Sequence, residues 1–444
     1  MDWNEILAII KTELDTLSLE YLLYGINESV TEYTSQKGQL SCVQESRFQS
    51  VRVQVRSQNQ IISFIVNQFA DADTINKYLN QQLKRLKFAD SSTGEFFLIP
   101  LDSGYRDLNF QIYDNELDLH TDKDRTKLLT DLENAIITQY RAITSIPWIR
   151  LRLTVTHHDM IGQTFHKRYQ KSDWELGGSF QIGAGTDQQQ FEHWQRSHQF
   201  AKLLDTNQFK SIINDLIGSM SNQNVIYGKE SRLLMGTSAV ASLMNFISAS
   251  FIKTVDNATT WFDDPNVQYF PRDFSLWDDG TLTNGWRTRP FDVLGINSQR
   301  MELIHQGFVK NRLRAYSDSG ADAADIHAIH SFDGSLNLFT QPTNLVMTAG
   351  KEKIANLLMS LDPGIYLVSL NDIFIDKFQN LHLLGYGQYY KQGKLVYGIR
   401  QLYLREPLVS FFKKIQKMGS ELTVVDNVTA CPWLMENVYA SSQV

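Results

Sequence analysis

The spacing of hydrophobic residues predicts a helix, a β-meander and a second helix in the first hundred residues. Strand-like runs lie at residues 22–34, 39–45, 50–56 and 61–67, and Lys37-Gly38 between the first two is a hairpin turn signal. Asp73 is the expected N-cap of the second helix. The first helix is amphipathic, with these residues on its apolar face: Trp3, Ile6, Leu7, Ile10, Leu14 and Leu17. We therefore expect an N-terminal helix–sheet unit over residues 1–100.

The middle region, residues 101–225, mixes helical and strand patterns. After a polar link, apolar residues at helical spacing predict a long helix over residues 123–143. Residues 147–158 alternate, with Ile149, Leu151, Leu153 and Val155 inward, which is typical of a half-exposed antiparallel strand. A second strand near residues 164–170 and a helix near residues 191–204 complete the prediction. This part of the chain is interpreted as an α/β region.

The last region, residues 226–444, is predicted to be rich in β-structure. Apart from a charge-free helix over residues 233–252 and a short helix near residue 355, it consists of strand-like runs with Gly turns. Gln306-Gly307 and Gln392-Gly393 are two-residue connections that favour tight hairpins, whose central residues need positive φ. Such a pattern favours an antiparallel sheet or a partly closed barrel. The expected fold class is α+β with three domains.

Composition and charge exclude several function classes. The chain has 444 residues, a net charge of −7 and a pI near 5.8, and it lacks the basic patch of a nucleic-acid-binding protein. Residues 233–252 contain Ser, Thr and Asn, which argues against a membrane span. The N-terminus, with acids at Asp2 and Glu5, differs from a signal peptide, so we expect a cytoplasmic protein. The two cysteines, Cys42 and Cys431, cannot build a disulfide framework or a cysteine zinc site.

No catalytic centre emerges from the residues alone. His193 and His198, placed on a predicted helix, would point about 140° apart, so we expect packing histidines rather than zinc ligands. His157 and His158 are adjacent on a strand and should face opposite sides. Three further groups favour a structural role: a metal-free cluster at His327 and His330, turns at residues 261–265 and 278–280, and a buried, unreactive Cys431.

A series of motifs in order along the chain resembles the TldD/PmbA family. Residues 278–313, "DDGTLTNGWRTRPFDVLGINSQRMELIHQGFVKNRL", are similar to a signature in which D-x-x-x-x-x-G leads to R-P-F-D-x-x-G and a hairpin. "QPTNLVMTAG" at 341–350, "PGIYLVSL" at 363–370 and the Gly-rich hairpin at 381–399 resemble later motifs, and "SVRVQV" at 50–55 resembles an earlier one. Each motif is weak, but their order is specific.

The resemblance implies which branch of that family to expect. The catalytic branch carries H-E-x-x-x-H on a helix before the R-P-F-D loop and a Cys ligand near the C-terminus. The corresponding segment here, "SAVASLMNFISASF" at 238–251, contains neither His nor Glu. The chain therefore resembles the PmbA (TldE) branch, which lacks its own metal site. The loop departs from that branch too, because Asp292-Val293-Leu294-Gly295 stands where D-x-E-G is frequent.

The leading hypothesis is a non-catalytic subunit of a heterodimeric zinc metallopeptidase. The implied partners are a TldD-like catalytic subunit, which would hold the zinc, and an unfolded or ribosomally made peptide bound by strand addition. The resemblance implies these contacts for the peptide or the second subunit: Arg289, Asp292, Gly295, Asn344, Gly385 and Gly387. A self-associating peptide-binding scaffold is the alternative, with a homodimer as its assembly. A third reading is a hydrolase using His193 and His198 with Glu192.

Overall fold

The chain folds into eight helices and 22 strands within the residues that the structure describes. This computed structural model describes residues 1–17, 19–57, 60–67, 69–88, 110–183, 188–226, 228–253, 261–314, 329–332 and 338–442. None of its helices combines the length and the apolar composition needed to cross a bilayer. The helices are α1 Trp3–Thr16, α2 Ala72–Leu83, α3 Asp122–Gln139, α4 Phe200–Leu203, α5 Asn207–Met220, α6 Thr237–Ile247, α7 Ile354–Met359 and α8 Leu408–Phe411, with 3-10 turns at Lys84–Phe88, Leu117–Leu119, Ser248–Phe251 and Phe412–Lys414.

The strands form three six-stranded sheets and two short pairs. In chain order they are β1 Glu20–Gln36, β2 Gln39–Ser57, β3 Gln60–Val66, β4 Ile143–Gly162, β5 His166–Ile182, β6 Gln189–Ser197, β7 Lys229–Met235, β8 Ile252–Lys253, β9 Leu276–Asp279, β10 Arg300–His305, β11 Phe308–Val309, β12 Leu313–Arg314, β13 Ile329–Phe332, β14 Leu338–Gln341, β15 Leu345–Met347, β16 Gly364–Ile375, β17 Asn380–Lys391, β18 Lys394–Pro407, β19 Ile415–Met418, β20 Thr423–Val425, β21 Val428–Ala430 and β22 Trp433–Ser442.

The first sheet is antiparallel and runs in the order β3-β2-β1-β4-β5-β6. Strands from both sides of residue 100 share it, because β1 pairs with β2 on one edge and with β4 on the other. Helices α1 and α2 pack on one end of a face of this sheet, over Val51, Val53 and Val55. Helix α3 packs farther along, over Tyr33, Ile149 and Leu151. The alternation predicted for residues 147–158 is confirmed for Ile149, Leu151 and Leu153, which are buried.

The C-terminal half is β-rich, as expected, and contains a closed ring of strands. Its first sheet has the order β18-β17-β16-β7-β22-β19, and an additional pairing of β18 with β22 closes the ring. The second sheet has the order β11-β10-β9-β15-β21-β20, and helix α6 is in contact with both sheets. The strands are not all antiparallel, since β16 pairs with β7 and β15 with β21 in parallel. A parallel pair needs a crossover, and α6 lies on the connection between β7 and β16.

Three predicted elements differ from the structure because pairing overrides local pattern. Residues 39–57 form one continuous strand, not two. The helix predicted near residues 191–204 is wrong, since its first half is β6, which pairs along β5, and only the four-residue α4 follows. The charge-free segment 233–252 is also not one helix, because its start belongs to β7 and Gly236 separates this strand from α6. Leu233, Leu234 and Met235 are all buried, so this strand lacks the alternation that would reveal it.

Glycines at the centre of β17 allow the close approach of neighbouring strands. Bulges interrupt the pairing of β17 with β16 and β18 around Gly385. A Cβ on Gly385 would lie 2.1 Å from the backbone oxygen of Ser369. On Gly387 the nearest atom would be a methyl carbon of Leu402, at 3.0 Å. Gly385 thus lies against backbone at a distance that excludes a Cβ, whereas a Cβ on Gly387 would meet the movable Leu402 side chain first and the backbone oxygen of Tyr366 only at 3.3 Å.

We expect Gly385→Ala to lower the free energy of unfolding by about 2–3 kcal/mol, because the added methyl group collides with the β16 backbone. Gly387→Ala is the matched control and should cost under about 1 kcal/mol, because the Leu402 side chain can shift. The measurement is the urea denaturation midpoint of both variants. Equal losses would show that the bulged strands tolerate a side chain at Gly385.

Candidate functional site

The loop at residues 289–298 is closed by the side chain of Asp292. Its Oδ1 accepts hydrogen bonds from the backbone N–H groups of Leu294 and Ile296, both at 2.9 Å. The N–H of Gly295 donates to the backbone oxygen of Asp292 at 3.0 Å. Gly295 has φ +80°, a backbone conformation that favours glycine. Asp292 and Gly295 therefore act together to shape the loop.

This loop covers the face of the first sheet opposite the helices, and we call the contact the seam. Its apolar residues pack on side chains of β1, β4 and β5 and on the segment before α3, in a cluster of Leu22, Tyr24, Phe110, Ile112, Met160, Tyr169, Phe291, Val293, Leu294 and Ile296. Lys167 of β5, only 6% exposed, donates to the backbone oxygen of Gly295 and to Oδ1 of Asn297, both at 3.3 Å. Burial lowers the pKa of Lys167, and the charge of Asp292 opposes that shift.

A buried histidine joins the two halves of the chain beside this loop. His198 Nδ1 lies 2.8 Å from the backbone oxygen of Ser172, and Nε2 lies 2.9 Å from that of Gly285. Both contacts are with backbone oxygens, which accept hydrogen bonds. Asp173 lies beside the ring, with its Oδ1 3.0 Å from Nδ1. The sequence-based assignment of His198 to packing is consistent with these contacts.

Further charges extend the seam. Lys171 Nζ lies 3.0 Å from Asp173 Oδ2 and donates to the backbone oxygen of Trp286 at 2.9 Å. Burial by itself would raise the pKa of Asp173, but Lys171 and His198 hold it below its ordinary value. Arg196 of β6 pairs with Glu175 on β5 and with Asp426 after β20. Ion pairs and hydrogen bonds therefore connect β5 and β6 with two C-terminal loops.

Asn344 holds the segment before the loop in place. Its Nδ2 donates to the backbone oxygen of Asp279 at 2.8 Å and to the Thr288 hydroxyl at 2.9 Å, and its Oδ1 accepts from the N–H of Arg287 at 2.9 Å. Next to it, Asp278 Oδ1 accepts from the N–H and the hydroxyl of Thr343, at 2.7 and 2.8 Å. Asp278 is 2% exposed, and burial raises its pKa to about 7.

The six residues that the family resemblance singled out lie in two places. Arg289, Asp292 and Gly295 share the loop, and Asn344 supports it, whereas Gly385 and Gly387 lie in β17 of the strand ring. All except Arg289, which is partly exposed, are buried within the chain. Their roles at a peptide cleft or a subunit interface remain predictions, and their contacts within the chain are structural. Sequence reasoning missed Lys167 and Asp173, whose importance depends on contacts that are remote along the chain.

The histidines proposed for a hydrolytic centre are not brought together. His193 lies on β6, where its ring meets that of Phe209 edge-on at 5.1 Å, and burial lowers its pKa to about 4. Glu192 is its neighbour on the same strand, so the two side chains point to opposite faces. Within the described residues, no group of three His, Cys, Asp or Glu side chains could hold a metal ion. This arrangement does not support the hydrolase reading.

Other sequence candidates have structural surroundings. Cys431 is fully buried beside Met347, and burial raises the pKa of its thiol to about 11, so the prediction of a buried cysteine is confirmed. Asp264 and Asp279 each accept a hydrogen bond from the N–H two residues ahead, as turn residues do. His157 and His158 have different partners, Gln170 and Tyr24. Of the His327/His330 cluster, His327 lies outside the described residues.

A groove opens at the N-terminus of α6, between α5 and the edge strand β20. Two adjoining cavities of ≈ 270 and ≈ 390 Å³ form it. Residues that line it include Gln208, Ile212, Asp215, Ser238, Tyr366 and Val425. Burial raises the pKa of Asp215 to about 6, and Tyr366 donates to its Oδ2 at 3.4 Å.

Helix α6 offers no zinc ligand, since Thr237–Ile247 contains no His, Cys, Asp or Glu, and its buried face is apolar. The residues present do not fit a catalytic zinc ion.

The structure defines an α+β protein whose two halves meet at the seam, and comparisons with known proteins indicate its relatives. Residues 228–442 match the model of the PmbA/TldA metallopeptidase C-terminal domain. Two metalloprotease TldD homologues, from Buchnera aphidicola subspecies of Acyrthosiphon pisum and Schizaphis graminum, are 26% and 23% identical over 164 residues. That stretch is 35% of this chain, and it spans about a third (33%) of the curated relatives' length. The C-terminal part of this chain, residues 228–442, therefore belongs to the TldD/PmbA family.

Solved structures show the same fold over almost the whole chain. TldE from Thermococcus kodakarensis superposes with a TM-score of 0.79 at 13% identity, covering 98% of this chain and 100% of that one. Candidate modulators of DNA gyrase from Thermotoga maritima and Bacteroides thetaiotaomicron both give a TM-score of 0.80, at 13% and 12% identity. They cover 99% and 100% of this chain, and 100% of their own chains. The α+β fold with a β-rich C-terminal half is thereby confirmed.

We expect Asp292→Ala to lower the free energy of unfolding by about 2–4 kcal/mol, because two buried N–H groups lose their acceptor and Lys167 loses a nearby charge. Asp292→Asn keeps an acceptor at Oδ1 and should cost about half as much. Urea denaturation of both variants is the measurement. A wild-type midpoint for Asp292→Ala would contradict the closing role of this carboxylate.

Asp278 should make the protein less stable as pH rises. Its folded-state pKa of about 7 lies above the ordinary value of 3.8, so its stabilising contribution is complete below pH 3.8 and is lost as pH rises through 7. Between about pH 4 and pH 8 the wild type should lose free energy of unfolding on the order of a few kcal/mol, and we expect Asp278→Asn to abolish this loss. Urea denaturation across that range tests this. Asp264→Asn, at an exposed turn, is the control and should keep the wild-type pH profile.

Proposed function

We propose that this chain is the non-catalytic, TldE/PmbA-like subunit of a heterodimeric zinc metallopeptidase. The complex would cleave unfolded or ribosomally made peptides, for example to remove a leader segment. A TldD-like partner would contribute the zinc ion and the general base. This chain would contribute a wall of the enclosed cleft and bind part of the peptide.

The observation that carries the proposal is the chemistry of helix α6. It occupies the position that the resemblance assigns to the H-E-x-x-x-H helix, yet it has no ligand side chain. Ala239, Val240, Leu243 and Met244 instead fill the core between the two C-terminal sheets. A zinc peptidase needs three protein ligands and a base around an open coordination position. Within a metallopeptidase family, a chain built in this way fits a supporting subunit.

The groove beside α6 offers a surface for strand addition. Among the described strands, β20 is the outer strand of its sheet and pairs with β21 alone. Val425 pairs with Val428 across a two-residue turn, so the backbone groups of Val424 point outward. Gln208 Nε2 donates to the backbone oxygen of Val424 at 3.3 Å, which fits that direction. An extended peptide could replace this side-chain contact with main-chain hydrogen bonds.

Native mass spectrometry of the purified chain with zinc, alone and mixed with a TldD-like chain from the same genome, tests the assignment. We expect the 51.0 kDa chain to remain free of zinc and to bind the sibling one to one. Hydrolysis of an unfolded peptide should require both chains. Stoichiometric zinc or hydrolysis with this chain alone would overturn the proposal.

Val424→Pro tests, in the same hydrolysis assay, whether the edge of β20 in the groove binds the peptide. Proline removes only the outward N–H of the edge strand, so the mixture should lose peptide affinity while the subunits still associate. Val424→Thr keeps the N–H and serves as the matched control. Unchanged KM for Val424→Pro would place the peptide elsewhere.

A further inference from the structure

Asp215 is an acidic residue on the wall of the groove beside α6. Its side chain is partly buried and lines the ≈ 390 Å³ cavity. Among the described residues, its carboxylate has one hydrogen-bond partner, the Tyr366 hydroxyl, which donates to Oδ2 at the long distance of 3.4 Å. None of the described residues that line this cavity is Lys, Arg or His. Because a carboxylate shielded from water is stabilised by a nearby cation, this site favours a ligand that brings a positive charge.

Helix α5 presents a row of side chains to the groove, and Asp215 lies at the end of this row. Gln208, Ser211, Ile212 and Asp215 all line the cavity. Their spacing of three and four residues places them on one face of a helix. At the other end of the row, Gln208 Nε2 donates to the backbone oxygen of Val424 on the edge strand at 3.3 Å. The wall that α5 forms beside β20 therefore ends in a carboxylate.

A peptide strand added to β20 would direct alternate side chains into this cavity. Thr423 and Val425 line the cavity, whereas Val424 between them is 51% exposed. Because side chains alternate along paired strands, a peptide residue opposite Val424 shares the exposed face. The peptide residues before and after it share the face of Thr423 and Val425. The side chains of these two residues therefore enter the cavity that contains Asp215.

The cavity suits a long basic side chain. Lys and Arg carry their charge at the end of a flexible apolar stem. Ile212, Val368 and Val425 offer apolar contacts along the cavity, and Asp215 offers the opposite charge. A free N-terminal amine has the same charge, but it belongs to the peptide main chain, which β20 would hold by its backbone groups. Charge and position together therefore favour a side chain.

We propose that Asp215 forms a subsite that selects Lys or Arg in the bound peptide, next to the residue that pairs with Val424. This inference rests on the proposed function, because it takes the groove as the peptide-binding surface. It adds the class of substrate, an extended peptide with a basic residue. Asp215 acts in binding, and bond cleavage remains with the partner subunit.

A matched series of peptides tests the subsite, with this chain alone and mixed with a TldD-like sibling. The probes are short N-acetylated peptides of Ser, Thr and Val that carry a fluorescent label and Lys, Arg, norleucine or Glu at one central position. Fluorescence anisotropy should give a dissociation constant about tenfold lower for Lys and Arg than for norleucine, which has only the apolar stem. Asp215→Asn should abolish this difference. Asp205→Asn removes an exposed charge from the adjoining cavity and is the matched control, which should keep the difference.

The pH dependence of binding gives an independent readout. Burial raises the pKa of Asp215 to about 6, so this carboxylate gains its charge as pH rises through that value. The wild-type dissociation constant for the Lys peptide should therefore be about tenfold higher at about pH 5 than at about pH 7.5, and Asp215→Asn should remove this change.

The other titratable groups near Asp215 do not predict the same change. Burial raises the pKa of the Tyr366 and Tyr390 phenols, so both stay protonated in this pH range. His193 in the adjoining cavity has its pKa lowered to about 4 by burial and stays mainly neutral. That cavity also contains charged side chains, for which the Lys peptide with Asp215→Asn is the control: Arg196, Lys202, Asp205 and Asp426.

The outcomes separate this subsite from the proposed function. If hydrolysis requires both chains but all four peptides bind equally, the proposed function holds and the Asp215 subsite is wrong. If this chain alone prefers Lys and Asp215→Asn loses that preference, while the mixture hydrolyses nothing, the subsite holds and the peptidase role is wrong.

Two further results would overturn the subsite. One is a norleucine peptide with a free N-terminal amine that binds as tightly as the acetylated Lys peptide, because Asp215 would then bind the chain terminus. The other is a failure of every peptide to bind. Unchanged thermal unfolding of Asp215→Asn would show that the substitution leaves the fold intact.

Discussion

The contact between the loop at residues 289–298 and the first sheet is the constraint on which the arrangement of the two halves depends. This loop belongs to the C-terminal half, yet its apolar residues complete a core that β1, β4 and β5 otherwise leave open. Asp292 makes the contact feasible, because it satisfies backbone N–H groups that would otherwise be buried without partners. In this chain Phe291, Asp292 and Gly295 of the R-P-F-D-x-x-G segment therefore hold the loop against the first sheet.

Around this apolar contact, a buried network of charged and polar side chains connects the two halves. His198 and Lys171 both meet Asp173, and their remaining donors reach backbone oxygens of the C-terminal half. Such a network contributes little net stability compared with an apolar seam, but a misplaced partner would leave a charge unpaired. It can therefore fix the position of one half on the other. The groove beside α6, which contains residues from both halves, depends on that position.

Local chemistry was sufficient to predict some features and insufficient for others. The turns at Lys37-Gly38, Gln306-Gly307 and Gln392-Gly393 all have positive φ at both residues, as two-residue hairpins require. Strand β6 was mistaken for a helix because it contains only two apolar residues, Phe191 and Trp194, so no strand alternation is visible before its pairing with β5 is known. The role of Asp292 could be guessed as a turn, but its contact with β5 through Lys167 and Gly295 spans 128 positions. No short stretch of sequence contains both partners of such a contact, so the seam could not be predicted from local sequence patterns.

The departure of the loop from the D-x-E-G pattern has a physical meaning in this setting. The position at which an acid is frequent holds Leu294, which is 1% exposed and lies in the apolar cluster of the seam. A carboxylate there would lose its hydration and would need a buried cation as partner. Lys167 already donates to the loop backbone and to Asn297. Leucine instead adds apolar contact and needs no compensating charge. In this chain the seam therefore depends on packing at Leu294 and on hydrogen bonding at Asp292.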